Sequence, residues 1–163
     1  MLNDPRLMHE VVRLARRAGE ITLKYFQNPD LAVEAKQDDS PVTIADRETE
    51  RFIRDEVERL FPGDVVIGEE FGEGPGEAGA RRWIVDPIDG TKSFIHGVPL
   101  YGVMIGVEEN GEMVAGAVFI PPLNDMVIAQ RGKGCWWNGK PASVSDTGKL
   151  SDALILTTDV ANH

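Results

Sequence analysis

Residues 83–94 read W-I-V-D-P-I-D-G-T-K-S-F, and no other stretch limits the possible folds of this chain so sharply. Trp83, Ile84 and Val85 form an apolar run of the kind that makes a buried strand. The chain then passes abruptly into Asp86, Pro87, Ile88, Asp89, Gly90 and Thr91. Two carboxylates converging to ~4 Å at the end of such a strand repel by about 4 kcal/mol at an effective dielectric of ~20. A shared cation removes that repulsion, and hard oxygen donors suit Mg²⁺ or Mn²⁺ better than zinc. Gly90 lets backbone approach a ligand, and the N–H groups from Gly90 onward can open a short helix whose start attracts an anion. Together these features suggest a phosphate held against a metal. Pro-Ile-Asp-Gly is also good chemistry for a plain chain reversal, and both readings stand at this point.

The 163 residues fit one domain with a core of its own. A net charge of −10 argues against a nucleic-acid partner. It also means that a phosphate substrate needs local positive charge, which a bound metal would supply. Cys135 is the only cysteine, so neither an internal disulfide nor a thiolate zinc cluster is available, and a cytoplasmic location is expected. No apolar run reaches membrane-spanning length and the N-terminus lacks a signal-peptide pattern, so no membrane partner is expected.

Along the chain, Asp4-Pro5 is a good helix start, and the apolar spacing from Leu7 to Phe26 predicts one helix over 5–27, stopped by Asn28-Pro29-Asp30. His9 reads as a surface residue. Lys36, in a polar, turn-like segment, reads as a solvated lysine. Thr43 caps a second helix with Asp46 in its first turn, where negative charge is favoured, and Pro62-Gly63 ends it. Residues 65–67 make a short buried strand that runs into Gly68-Glu69-Glu70; Glu69 reaches the same metal if the two strands are neighbours. Residues 71–80 read as a mobile surface loop. Strands over 101–107 and 113–120 are joined by the hairpin turn Glu109-Asn110-Gly111, and further strands follow over 126–129 and 153–157. Trp136 and Trp137 read as packing aromatics before the Asn138-Gly139 turn, and His96 as structural or solvated. The fold class is α+β: two N-terminal helices packed on a largely antiparallel sheet.

The ordered set Lys36…S-P-V-T…Asp46, Gly68-Glu69-Glu70, Trp83…D-P-I-D-G-T…Phe94 and G-K-G-C…Asn138-Gly139 resembles the inositol monophosphatase-like, Mg²⁺-dependent phosphatases over nearly the whole chain. The resemblance implies a first metal on Glu69, Asp86 and the carbonyl of Ile88, and a second on Asp86 and Asp89. It implies that Ile88, Asp89, Gly90 and Thr91 hold the substrate phosphate, and that Thr91 with Asp46 orients the attacking water. The implied cofactor is Mg²⁺ or Mn²⁺ and the implied substrate a small phosphomonoester. Glu69-Glu70-Phe71-Gly72, Thr91-Lys92-Ser93-Phe94 and Leu156-Thr157-Thr158 look most like histidinol-phosphatases of histidine biosynthesis; inositol-1-phosphatases are the alternative.

Members of that family continue into a second half with a W-D-x-A-type motif, another metal-binding aspartate and most contacts to the alcohol. No such motif occurs here, so residues 1–163 are expected to form one metal- and phosphate-binding domain like the family's N-terminal half, associating as a homodimer through an open sheet edge. Two other readings compete. A phosphatase with an aspartyl nucleophile carries D-x-D, whereas two residues separate Asp86 from Asp89. A non-catalytic binding domain would keep the fold without turnover.

Overall fold

The computed structural model describes residues 5–36, 41–77 and 79–155. The expected cap Asp4, the segment 37–40 and Leu156-Thr157-Thr158 lie outside them. Helix α1 spans Pro5–Leu23, shorter than the expected 5–27. Past Leu23 the backbone tightens, the N–H groups of Lys24 and Tyr25 bonding only three residues back, and Gln27 adopts a left-handed φ of 60°. This exit swings Tyr25 and Phe26 into a small cluster with Ala45, Ile88, Phe94 and Tyr101. Strands β1 (Val33–Ala35) and β2 (Pro41–Thr43) form an antiparallel pair that their short, polar sequences did not announce.

Helix α2, Ile44–Leu60, begins as expected. Thr43 is its N-cap and Asp46 the reciprocal member of a capping box. It ends at Phe61, with Gly63 at φ 95° reversing the chain.

β3 (Val65–Gly68) runs parallel to β5 (Arg82–Asp89), with Gly68 opposite Val85. β4, Gly72–Glu73, follows β3 in the chain, pairs antiparallel with its outer edge and gives part of the expected loop a defined place. α3 is the short helix Thr91–Ile95. β6 (Gly102–Glu109) and β7 (Glu112–Ile120) form the expected hairpin, Asn110 and Gly111 taking φ of 54° and 79°. β8 (Asp125–Gln130), β9 (Gly134–Trp137) and β10 (Lys140–Pro141) extend the sheet, and residues 153–155 carry no strand. The sheet order is β10-β9-β8-β7-β6-β5-β3-β4, antiparallel except for β3 beside β5. The α+β expectation holds.

Leu7, Val11, Leu14, Ala15 and Ala18 of α1 and Ile53 and Val57 of α2 pack on one sheet face, against Trp83, Val85, Val103, Ile105, Val107, Ala117 and Phe119. Burying side chains of this size is worth roughly 1.5–3 kcal/mol each, which fixes the helices to the sheet. Trp136 is half-buried, in keeping with the packing role expected of both tryptophans, whereas Trp137 is 55% exposed. The core tryptophan is Trp83, which is fully buried and whose indole N–H donates to Asp64 at 2.7 Å. No helix among the described residues is long and apolar enough to cross a membrane.

Candidate active site

The parallel β3–β5 pair answers the question that the sequence left open, because it sets the two carboxylate-bearing strand ends side by side. Directly after β3, the Glu69 N–H donates to the Val85 carbonyl at 3.3 Å, one residue before Asp86. β5 does not stop at Val85 as expected but continues to Asp89, with an irregularity between Asp86 and Asp89. In a regular strand, residues three apart point to opposite faces. Here Asp86 pairs with Met104 and Asp89 with Gly102, so three steps on β5 match two on β6. This bulge returns both carboxylates to one face.

Their proximity is visible in Asp86. Burial and then the charges of Glu69 and Asp89 push its carboxyl up to about 7, and Asp86 also hydrogen-bonds Glu69. Asp86 Oδ1 accepts from the Ile88 N–H at 3.1 Å, which holds the D-P-I turn. Gly90, at φ 87°, caps α3, and Thr91 follows as its first residue. The Thr91 hydroxyl donates to the Ile88 carbonyl at 3.0 Å and lies 3.5 Å from Asp46 Oδ1.

Asp46 is almost wholly buried, and its Oδ2 accepts from the Thr43 N–H at 2.8 Å and the Thr43 hydroxyl at 2.7 Å. Burial raises its pKa against the opposing pull of these bonds. The helix-start role considered for Asp46 is thus present, and the same carboxylate lies beside the Thr91 hydroxyl. Lys36 is not the solvated lysine that its surroundings suggested. Its ammonium bonds Glu69 at 2.6 Å and Glu70 at 2.7 Å. Burial disfavours its charge, but the two carboxylates outweigh that and hold its pKa above the ordinary lysine range. Sequence reasoning also passed over Glu70 as a separate group and Glu50 altogether. Glu50 lies one helical turn after Asp46, the only signal that placed it on the same face. His9 sits at the surface beside Glu10, and His96 bonds the Lys92 carbonyl; neither approaches this chemistry.

Among the described residues, no group of three or more acidic, histidine or cysteine side chains is gathered closely enough to hold a metal ion. The donor chemistry nevertheless fits a hard divalent cation. Three carboxylates repel one another, one of them enough to hold a proton near neutral pH, and a carbonyl stands beside them. Glu69, Asp86, Asp89 and the Ile88 carbonyl are the residues that would hold it.

Known proteins resemble this chain in sequence and fold. The chain is 49% identical over 148 residues to a histidinol-phosphatase of Chlorobaculum parvum, covering 91% of this chain and 57% of that protein. It is 38% identical to an inositol-1-monophosphatase of Rhizobium meliloti, covering 93% and 57%. Among solved structures, the extragenic suppressor protein suhB of Bartonella henselae superposes with a TM-score of 0.82 at 34% identity, over 86% of this chain and 55% of that one. The chain therefore spans about half the length of the curated relatives it matches. With the inositol monophosphatase family pattern running through residues 4–163, the chain belongs to that family.

Proposed function

We propose that residues 1–163 form the metal- and phosphate-binding unit of a Mg²⁺- or Mn²⁺-dependent phosphomonoesterase acting on histidinol phosphate. The observation that carries this reading is the bulge that turns Asp86 and Asp89 to one face, beside Glu69 and next to Thr91. A divalent cation bound there would neutralise the phosphate and acidify a bound water.

The protein groups divide the remaining work. Ile88, Asp89, Gly90 and Thr91 line the phosphate position, where backbone N–H groups at a helix start favour an anion. With its proton on the Ile88 carbonyl, the Thr91 hydroxyl would accept from the attacking water, and Asp46 Oδ1, 3.5 Å from that hydroxyl, would accept the water's other proton, so that the water's lone pair faces phosphorus. Asp46, whose pKa burial raises, is a stronger proton acceptor than an exposed aspartate. A bond from the water oxygen to phosphorus forms as the ester P–O bond breaks, and the alcohol leaves with the electron pair and takes up a proton. Positioning and charge supply most of the acceleration in such transfers.

The histidinol-phosphatase relative supports histidinol phosphate, and the inositol-1-monophosphatase relative supports inositol 1-phosphate as the second reading. The test is phosphate release from both esters, side by side, by the protein that carries this chain, with Mg²⁺ and after chelation. Preferential hydrolysis of histidinol phosphate, lost on chelation, is expected. Preference for inositol 1-phosphate would overturn the substrate, and full activity in chelator would overturn the metal.

A further inference from the structure

Glu50 is the one carboxylate with no exposed surface among the buried polar residues, and it serves neither the phosphate position nor the Thr91–Asp46 pair. Its partners are unusual for a helix residue. Oε2 accepts from the backbone N–H of Glu70 at 2.7 Å, and Oε1 from that of Phe71 at 3.2 Å. Arg54, one turn further along α2, holds the same carboxylate at 2.7 Å. Its guanidinium also donates to the Val66 carbonyl at 3.1 Å and to the Gly72 carbonyl, and it faces the Phe71 ring at 5.9 Å. A buried ion pair is thus spent on four backbone groups of one segment, 66–72, which carries Glu69.

We propose that Glu50, backed by Arg54, is a positioning residue that sets the Glu69 carboxylate for the cation. Every backbone N–H from Glu69 to Phe71 is taken, the first by Val85 and the next two by Glu50. The segment therefore cannot rotate Glu69 away without leaving a buried carboxylate unsatisfied. Gly68 has a matching reason to be glycine: a Cβ there would overlap the Glu50 carboxylate. Glu50 thus acts on the ligand as hydrogen-bonded outer partners of metal sites do. This rests on Glu69 being a metal ligand.

The experiment is Mg²⁺ calorimetry on wild type, Glu50→Gln, Gly68→Ala and Glu69→Gln, with amide hydrogen exchange and thermal unfolding in chelator. Glu50→Gln should weaken Mg²⁺ binding by about 10–100-fold. Exchange should quicken at Glu70 and Phe71 while the protection of α1 is kept, a pattern that general destabilisation would not produce. Gly68→Ala should weaken binding likewise, and by much less when added to a further variant, Glu50→Ala, in which the overlap is gone. Wild-type affinity in Glu50→Gln, with binding weakened in Glu69→Gln, would overturn the positioning role and leave the metal reading intact. Unchanged binding in Glu69→Gln would overturn the metal reading, and the role of Glu50 with it.

Discussion

Thr91 Oγ1 lies 3.5 Å from Asp46 Oδ1, joining the first turn of α3 to the first turn of α2. The other oxygen of Asp46 closes the capping box with Thr43. One carboxylate therefore starts a helix and faces the hydroxyl that follows the phosphate turn. Asp46→Asn keeps only one oxygen for these two tasks. Stability should fall by about 1 kcal/mol, the usual worth of a lost cap. Phosphate release should fall by roughly 10²–10⁴-fold, the share of a lost general base. Urea unfolding beside a rate measurement separates the two effects, and normal turnover would remove Asp46 from the chemistry.

Metal should stabilise the fold. The repulsion that raises Asp86 is relieved by a cation, so Mg²⁺ should raise the melting temperature. At ~100-fold excess over the dissociation constant, the gain is about 2.7 kcal/mol. Asp86→Asn should lose most of this shift. A wild-type melting curve indifferent to millimolar Mg²⁺ would refute the expectation.

Gly19 stands inside α1, where alanine ordinarily stabilises a helix by about 1 kcal/mol. Here a Cβ would lie 2.6 Å from the Phe119 ring and 2.9 Å from Pro121. Gly19→Ala should therefore destabilise by about 1–3 kcal/mol, as overpacking does. A higher urea midpoint for the variant would show that α1 can move off the sheet.

Glu56 ties α2 to α1. Hydrogen bonds from Arg59 and then Arg13, the latter at 2.6 Å, pull its pKa down to about 2. A depressed carboxylate pKa gives stability that is present above the unfolded value near 4.5 and is lost as pH falls through about 2. The pairs are solvent-screened, so Glu56→Gln should cost only about 0.2–1 kcal/mol at neutral pH. Unfolding curves should show that difference vanishing as pH approaches 2. A difference that persists there would trace to packing rather than charge.

The site was readable where local chemistry dictates structure. Thr43 and Asp46 announce a cap, Asn110-Gly111 a hairpin, and D-P-I-D-G-T a strand end that carries carboxylates. What depends on the partner strand was not readable. Nothing in the spacing of Asp86 and Asp89 says that a bulge against β6 turns them to one face. Lys36 looked solvated because its segment is polar; its carboxylate partners lie more than thirty residues away and meet it only when β3 is in place. Trp137 misled for the same reason, since its burial depends on what covers β9, which residue type alone does not reveal.

That uneven placement gives the chain a sealed indole, Trp83, a water-exposed one, Trp137, and the half-buried Trp136 between these extremes. Trp83 is sealed three residues before Asp86, its ring 5.2 Å from that of Phe61, while Trp137 stands in water on a far strand. Iodide should quench the outer indole and spare the inner one, whose bluer emission then follows the strand that carries the aspartates. The integrity of the core beside that strand can be watched in one cuvette without a label.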